Sequence, residues 1–360
     1  MFFLKKRIVF ESMPDFADST IQVYNELVKR GYSQKYKFVW LTHQKHKYFD
    51  NHSITAKLVS LKSFYYRRTS KYLIFNNQMF YLGKKRKQKM IYISHGAPVK
   101  HVRDYYYLHG STNGLIGLSP LCSHEEAYQY RCPQELVYGL GFPRNDAIIN
   151  SKVDLHNIFN FKGKIIFYYP TIKLWASRPN NPHGDGFVSN LLKTNEDCAK
   201  TNEYLKKHNI LLVMKLHWAS GGRDLLTQKY SSIIFVDEAF FASHQTTSYE
   251  CLGKADALLT DYSSVFYDYL IVNKPIGFIW TDFEQYRKTP GLVDLFINQT
   301  SKCGSKIYNF DDLFTFINNV KLNKDPVKKE REKLKALVYP HKNPKSTERV
   351  TDFIIKTFNL

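Results

Sequence analysis

Short apolar runs recur along the chain, and polar stretches long enough to form a helix separate them. Buried parallel strands have continuous apolar runs of this length, whereas half-exposed strands alternate apolar and polar residues. In the first part of the chain the runs are residues 7–10, 38–41, 57–61, 72–75, 91–93, 115–118 and 136–140. In the second part they are residues 165–169, 210–216, 233–236, 257–260 and 276–280. Strands that alternate with helical stretches predict an α/β protein built from doubly wound parallel sheets.

The order of elements predicts two domains of the same kind. Residues 21–30 have helical spacing, so the chain opens as strand, loop, helix and strand, as in a Rossmann-like half. The polar region at residues 145–164 separates the two series of strands. We therefore predict a Rossmann-like domain over residues 1–150, a second over residues 151–345, and a C-terminal helix over residues 346–360.

Composition narrows the class of protein. Of the 360 residues, 43% are hydrophobic, which is ample for packed cores, and no apolar run is long enough for a transmembrane helix. The charges near the start follow the apolar residues, which is the wrong order for a secretory signal. The five cysteines are scattered and form no C-x-x-C pair. A disulfide framework or structural zinc site is therefore not expected, and a reducing cytoplasm fits.

The chain is strongly basic, with 52 Lys+Arg against 32 Asp+Glu and a net charge of +20. Such a field attracts polyanions: nucleic acid, an anionic membrane face, or a polyphosphate-like substrate. A generally lysine-rich proteome is the alternative explanation. Residues 62–72 interleave basic and aromatic side chains, which suits a lipid interface or simply a solvated helix face. Because no nucleic-acid-binding motif occurs, we expect an anionic membrane surface as a partner and no nucleic acid.

Residues 255–264 read as a short buried strand that turns directly into a helix. Asp261, Ser263 and Ser264 are all good N-cap residues for the segment that begins at Val265. A helix start carries unpaired N–H groups and partial positive charge, and two hydroxyls there add further donors. The segment therefore suits a phosphate or pyrophosphate, and the alternative is that Asp261 or Ser263 simply caps the helix.

Two histidines, His95 and His217, each come directly after another apolar run. Ligands of doubly wound sheets bind outside the carboxyl ends of the strands, so we expect both histidines and Ser263 to face one cleft. A histidine is a suitable general base at neutral pH because its ordinary pKa is close to 6.5.

Four motifs carry a resemblance to a known family. They are "HGAPVK" at residues 95–100, "TDYSS" at 260–264, "GFPRND" at 141–146 and "YYPT" at 168–171. Their order and spacing resemble the CDP-glycerol glycerophosphotransferase family, whose members polymerise or prime teichoic acids and related capsular polymers. The resemblance covers about residues 5–300.

The chain departs from the family pattern at three positions. Ser94 stands where a tryptophan often precedes the first histidine, and Ala97 replaces the commoner threonine. Trp218 follows the second histidine in place of the usual proline. The missing threonine hydroxyl removes one possible phosphate contact, and the altered loop puts the pose of His217 in question.

The resemblance implies a GT-B-like architecture, with two Rossmann-like domains facing a central cleft. It also implies transfer of glycerol phosphate from CDP-glycerol to a hydroxyl of a polymer or lipid-linked glycan acceptor, with release of CMP. This reaction belongs to teichoic acid or capsule synthesis in the cell wall. The expected location is cytoplasmic and peripheral, on the inner face of the cell membrane.

The resemblance further implies a role for each candidate residue. His95 matches the motif histidine and is the expected base, while His217 would offset charge on the leaving CMP. Asp261 would orient a hydroxyl or a histidine, unless it only caps the helix. The expected donor-binding residues are Ser263, Ser264, Lys215, Thr171 and Arg287, and the expected acceptor-binding residues are Lys100, Arg144 and Gly96.

No metal site is evident, because the spacing of Asp256, Asp261 and Asp268 does not bring them to one face. We therefore expect no obligatory metal or other cofactor beside the donor substrate CDP-glycerol.

Three alternatives remain open at this point. The first is a related enzyme that uses CDP-ribitol. The second is a GT-B glycosyltransferase that uses a nucleotide sugar. The third is a non-catalytic protein that retains the fold and binds polyanions or membranes.

Overall fold

The computed structural model describes residues 3–44, 50–76, 87–101, 103, 108, 110, 112–171, 191–215, 228–341 and 343–360. The chain divides into two compact units. Unit 1 comprises Met1–Pro98, Val102–Asp146 and Val338–Leu360. Unit 2 comprises Val99–His101 and Ala147–Leu337.

This division differs from the predicted domains in two respects. The short segment Val99–His101 belongs to unit 2, because its backbone pairs with a strand-like segment of that unit. The C-terminal segment Val338–Leu360 belongs to unit 1, because its last helix packs on the first helix of the chain.

The described part of unit 1 contains a parallel sheet of seven strands. The strands are β1 (Lys5–Glu11), β2 (Lys37–Thr42), β3 (Ser53–Lys57), β4 (Ser70–Phe75), β5 (Lys89–Ile93), β6 (Gly114–Gly117) and β7 (Val137–Gly139). Their order across the sheet is β3-β2-β1-β4-β5-β6-β7, and each neighbouring pair is parallel. All carboxyl ends therefore lie along one edge, where ligands bind in sheets of this type.

The described part of unit 2 contains a parallel sheet of six strands. The strands are β8 (Lys164–Tyr169), β9 (Ile210–Lys215), β10 (Ile233–Val236), β11 (Ala257–Thr260), β12 (Ile276–Ile279) and β13 (Ser305–Ile307). Their order is β10-β9-β8-β11-β12-β13, so β8 and β11 are central neighbours.

Helices connect the strands in both units. In chain order the α-helices are α1 (Asp18–Lys29), α2 (Tyr32–Lys35), α3 (Leu61–Thr69), α4 (Ser123–Gln129), α5 (Arg144–Ile149), α6 (Leu155–Phe159), α7 (Asn195–Lys207), α8 (Glu238–Ser243), α9 (Ser248–Lys254), α10 (Val265–Leu270), α11 (Phe283–Tyr286), α12 (Asp294–Cys303), α13 (Phe310–Lys321), α14 (Lys328–Val338) and α15 (Ser346–Phe358). A π-helical turn, Arg287–Gly291, follows α11. Within the described ranges, no helix is both long enough and apolar enough to cross a membrane.

Both faces of the unit 1 sheet are buried. Ile8 and Phe10 of β1 point to one face, and Val9 between them points to the other. The first face packs against α1 and α15, so that Phe358 of α15 stacks on Tyr72 of β4. Burial on two faces is the physical reason that these strands read as continuous apolar runs.

Two strands differ from the sequence prediction. The prediction of a strand at residues 57–61 is wrong, because β3 lies at Ser53–Lys57 and α3 begins at Leu61. β3 is a sheet-edge strand and only partly buried, so its apolar signal is weak. β13 was missed because its three residues contain one apolar side chain, Ile307.

Candidate active site

The first residue of α1 is a carboxylate that belongs to none of the sequence motifs. Asp18 is the first residue of α1 and is buried, with φ of 61°. Phe16, two residues earlier, also has a positive φ of 53°. Such backbone conformations are strained for residues other than glycine, and they cluster at functional sites.

Asp18 binds the ring of His95. Nδ1 of His95 lies 2.7 Å from Oδ2 of Asp18. The imidazole follows β5 at the carboxyl edge of the sheet, and 62% of its side chain is exposed. Among the described residues no group pairs with Nε2. In the turn, the Ser94 hydroxyl donates a hydrogen bond of 2.8 Å to the carbonyl of Gly96.

Arg144 fixes both members of this pair. Its Nη1 donates to Oδ1 of Asp18 at 2.8 Å and to the backbone carbonyl of His95 at 2.6 Å. The guanidinium also lies over the ring of Phe142, with 4.5 Å to the centroid, and only 1% of Arg144 is exposed. Although burial opposes its ionisation, Asp18 has a pKa well below the ordinary value because of Arg144 and His95. The acceptor-binding role of Arg144 stays a prediction, and the structure shows a buried guanidinium whose Nη1 contacts both Asp18 and the backbone of His95.

The rest of the "GFPRND" motif holds unit 1 together. Asn145 donates through Nδ2 to the hydroxyl of Tyr339 at 2.8 Å. The carboxylate of Asp146 accepts from the backbone amides of Ser346 and Thr347, at 3.0 and 2.8 Å, and so satisfies the start of α15. The motif thus ties the C-terminal helix to the segment that carries Arg144.

A second buried carboxyl group lies at the carboxyl end of β1. Glu11 is fully buried, and its nearest charge is Nη2 of Arg67, 3.7 Å away. Neither carboxyl oxygen of Glu11 accepts a hydrogen bond from a described residue. Burial, opposed in part by Arg67, raises the pKa of Glu11 to about 8.

In unit 2, Asp261 ties together the ends of two central strands. Its carboxylate accepts from the backbone amide of Thr171, which follows β8, at 2.9 and 3.0 Å. It also accepts from the Thr171 hydroxyl and from the amide of Tyr262. Burial raises the pKa of Asp261, although these bonds and Lys100 oppose the rise. The capping alternative for Asp261 is wrong, because the residue before α10 is Ser264 and its side chain makes no capping bond.

The two serines of the "TDYSS" motif, Ser263 and Ser264, come shortly after Asp261 and are partly exposed. The Ser263 hydroxyl accepts a 3.4 Å bond from the amide of Val265 at the start of α10. Aromatic side chains back the turn, since the rings of Tyr262 and Tyr286 stack with 3.8 Å between centroids. Tyr262 also donates to Asp282 at 2.9 Å.

Lys100 belongs to unit 2 and not to the acceptor-side domain assumed from the sequence. It forms an antiparallel bridge with Leu292, and His101 N donates to the carbonyl of Gly291 at 3.1 Å. Burial lowers the pKa of Lys100 to about 8, while the charge of Asp261 opposes the change. The contact of Lys100 with the acceptor stays a prediction, and the charge of Asp261 acts on its amine.

The remaining candidates have different surroundings. Nζ of Lys215 pairs with Oε1 of Glu238 at 2.8 Å and lies over the ring of Tyr169. Arg287 is exposed on the π-helical turn. His217 lies outside the described residues. Since His95 belongs to unit 1 and Ser263 to unit 2, their common cleft stays a prediction.

Two of the acidic residues considered for a metal, Asp256 and Asp261, make other contacts. Asp256 pairs with Nζ of Lys164 at 2.9 Å and accepts from the amide of Ile165 at 2.8 Å. Across the part of the chain that the structure describes, no group of three or more His, Cys, Asp or Glu side chains is arranged to hold a metal ion.

Comparison with known proteins supplies the family. The chain is 24% identical to the teichoic acid poly(glycerol phosphate) polymerase of Bacillus spizizenii, over 97% of this chain and 87% of that protein. It is 25% identical to the polymerase of the same description from Staphylococcus epidermidis, over 84% of this chain but only 44% of that longer protein. Teichoic acid ribitol-phosphate polymerases of Staphylococcus aureus are also similar.

Among solved structures, the wall teichoic acid polymerase TagF matches 99% of this chain and 90% of its own, with a TM-score of 0.75 and 21% identity. This similarity confirms the predicted GT-B-like fold class. The profile of the CDP-glycerol:poly(glycerophosphate) glycerophosphotransferase family matches residues 1–356, so the resemblance seen in the motifs is confirmed and the chain belongs to this family.

Proposed function

We propose that the chain transfers glycerol phosphate from CDP-glycerol to a hydroxyl of a teichoic acid acceptor, with His95 as the general base. The family match over residues 1–356 supports the reaction. The observation that carries the residue assignment is the 2.7 Å contact between Nδ1 of His95 and the buried carboxylate of Asp18. An ionised aspartate on Nδ1 holds that nitrogen as a donor and leaves Nε2 as the acceptor that a base requires.

The proposed step moves one proton and exchanges one phosphorus–oxygen bond. The acceptor hydroxyl oxygen attacks the phosphorus that bears glycerol, and its proton passes to Nε2 of His95. The bond from that phosphorus to the oxygen of CMP breaks, and CMP leaves with the electron pair. Asp18 stabilises the imidazolium that forms, and general base catalysis of this kind contributes about 10²- to 10⁴-fold.

The donor phosphates are assigned to unit 2. The half-buried hydroxyls of Ser263 and Ser264 and the first amides of α10 offer hydrogen-bond donors. Lys100, coupled to Asp261, adds a cationic amine near the same motif. We assign His217, which comes after β9 in the sequence, to the position beside the leaving CMP. Thr171 is buried against Asp261, so we assign it to shaping this turn.

We propose that these donors offset the pyrophosphate charge without an obligatory metal. Hydrogen-bond donors and cations placed at developing negative charge act in this way. Chelation with EDTA should then leave the rate of CMP release within about twofold of the untreated rate. A loss of activity that Mg²⁺ restores would contradict this part of the proposal.

The donor is tested by incubating the purified protein with an acceptor and one of three donors: CDP-glycerol, CDP-ribitol or a nucleotide sugar. The proposal predicts CMP release and phosphodiester formation with CDP-glycerol as the preferred donor. Preference for CDP-ribitol would assign the chain to ribitol-phosphate transfer. Release of a nucleoside diphosphate from the sugar donor alone would overturn the proposal.

We also propose that unit 1 docks on the anionic face of the cell membrane, which would give the enzyme access to lipid-linked acceptors. Val59 and Leu61 at the start of α3 are 79% and 89% exposed, and Phe64 on the same helix is 45% exposed. The exposed cations Lys57 and Lys62 flank these apolar side chains. Apolar residues that insert beside cations are typical of interfacial helices, and each cation adds about 1 kcal/mol near an anionic surface.

Membrane docking is tested by sedimentation with vesicles that contain phosphatidylglycerol. Leu61→Glu should abolish co-sedimentation, because it places a carboxylate at the most exposed apolar position. Leu337 on α14 is 62% exposed and offers a matched control, since Leu337→Glu should leave binding unchanged. An equal loss of co-sedimentation in both variants would show that membrane docking does not depend specifically on the apolar residues of α3.

A further inference from the structure

Unit 1 contains a second histidine–aspartate pair that the proposed reaction does not use. Nδ1 of His43 lies 2.8 Å from Oδ1 of Asp15. The same carboxylate accepts from the backbone amide of His43, at 2.9 and 3.0 Å, and from that of Gln44 at 3.1 Å. Four polar contacts therefore converge on Asp15 and hold the imidazole in one orientation.

The two pairs share one supporting segment and one edge of the sheet. Asp15 lies between the end of β1 and the start of α1, and Asp18 is the first residue of α1. His43 directly follows β2, and His95 lies just beyond β5, at the carboxyl edge. In the strand order β2-β1-β4-β5 the two strands are three steps apart. At about 4.8 Å per step, the two strand ends are separated by roughly 14 Å along that edge.

The second imidazole is partly open to solvent. The His43 side chain is 29% exposed, and no described residue pairs with its Nε2. When the ring binds an anion in its protonated form, Asp15 accepts from Nδ1–H and Nε2–H is the donor that is left for the ligand. A phosphodiester oxygen is a hydrogen-bond acceptor that suits this donor. The positive net charge of the protein also attracts the negative phosphodiester.

We propose that His43, oriented by Asp15, binds a phosphodiester of the acceptor polymer behind the terminal hydroxyl that His95 activates. This inference rests on the proposed function, because it takes the acceptor to be a polyol-phosphate chain. The separation of the two strand ends means that one glycerol phosphate does not fill both positions. His43 therefore acts only on acceptors that carry several phosphodiesters, and it favours elongation of an existing chain.

Three variants test the role. His43→Asn retains a side-chain amide near Nδ1 for Asp15 and removes the distal nitrogen, whereas His43→Gln retains a distal amide donor. His52, just before β3 at the opposite edge of the sheet, is also exposed, so His52→Asn is a matched control. Calorimetry gives the affinity of each variant for an oligo(glycerol phosphate) and for glycerol 3-phosphate, and thermal unfolding confirms the fold.

A hydrogen bond to a charged group predicts about a tenfold to hundredfold weaker oligomer affinity for His43→Asn. His43→Gln should recover part of this loss, and His52→Asn should match the wild type. Wild-type affinity in a folded His43→Asn protein, or equal loss for oligomer and monomer, would overturn the inference. Binding is measured without donor, so its outcome is separate from the proposed function, which fails if the wild type releases no CMP from CDP-glycerol.

Discussion

Replacement of Asp18 by Asn removes one charge and leaves the shape of the site. Asparagine tolerates the left-handed backbone that Asp18 adopts, with φ of 61°, so the substitution adds little strain. The amide oxygen still accepts from Arg144, 2.8 Å away in the native pair. The amide nitrogen, however, faces Nδ1 of His95 as a donor, and so favours the tautomer that carries its proton on Nε2. Nε2 of His95 then already carries a proton and cannot accept one from the acceptor hydroxyl.

The expected loss follows from the contacts of Asp18. A hydrogen bond to a charged group is worth about 1.5 to 3 kcal/mol, which corresponds to roughly 10- to 150-fold in kcat if the imidazolium loses it. The wrong tautomer adds to this loss, up to the whole contribution of a general base, about 10⁴-fold. Stability should fall by about 1 to 3 kcal/mol, because the buried guanidinium of Arg144 keeps an acceptor but loses its counter-charge.

The assay is CMP release at saturating CDP-glycerol and acceptor, with urea unfolding of the same preparations. The double variant with His95→Ala supplies the control, because Asp18→Asn should have almost no further effect on kcat once the imidazole is absent. A folded Asp18→Asn protein with kcat within twofold of the wild type would refute the reasoning. An equal additional loss in the His95→Ala background would show that Asp18 acts through another group.

Three further predictions concern stability. Glu11 has a pKa of about 8 in the folded chain against an ordinary value of 4.5, so its stabilising contribution is complete below about pH 4.5 and is lost as the pH rises through 8. Glu11→Gln should remove this pH dependence of the free energy of unfolding, which amounts to roughly 4 to 5 kcal/mol between about pH 4.5 and pH 8. Urea unfolding at a series of pH values in this range measures it. Gly291→Ala should cost about 1 kcal/mol or more beyond a backbone strain of about 1 to 2 kcal/mol, because φ is 96° and the added Cβ would lie 2.9 Å from the ring of His101. Gly31→Ala, at φ of 78° with open space around it, should cost only the backbone strain, about 1 to 2 kcal/mol, and equal losses in the two variants would contradict the close contact at Gly291. Asp146→Ala should cost about 1 to 2 kcal/mol and speed amide exchange at the start of α15, and unchanged exchange there would contradict the capping role.

The sheets were predictable because burial on both faces leaves a direct trace in the sequence. Strands such as β5 and β11, which lie inside the sheets, are continuous apolar runs, and α15 begins at the predicted residue 346 and ends at Phe358, two residues before the predicted end. Two of the four edge strands of the described sheets, β3 and β13, lack this trace. β3 is half-polar and β13 is three residues long, so neither was identified.

The site residues that lie in a short motif directly after a strand were predictable from the sequence. His95 and Ser263 follow strands, as the apolar runs indicate. Asp18 was not found because its partner is distant in the chain, and only the fold of the segment after β1 brings the two together. A buried aspartate at positive φ leaves no periodic signal in a sequence.

The sequence also does not reveal the surroundings of two cations. Arg144 and Lys100 were predicted to bind acceptor phosphates because they are basic residues in shared motifs. The structure engages Arg144 with Asp18 and the backbone of His95, and it pairs the backbone of Lys100 with Leu292. A sequence does not reveal whether a guanidinium is already satisfied by buried partners.

The central claim, that the imidazole of His95 removes the acceptor proton, is tested most directly by ³¹P NMR of CDP-glycerol and a polyol-phosphate acceptor with wild type and His95→Ala. The account predicts that the variant is folded and binds CDP-glycerol normally, but forms CMP and new phosphodiester about 10²- to 10⁴-fold more slowly. Formation of both products at nearly the wild-type rate by His95→Ala would contradict it.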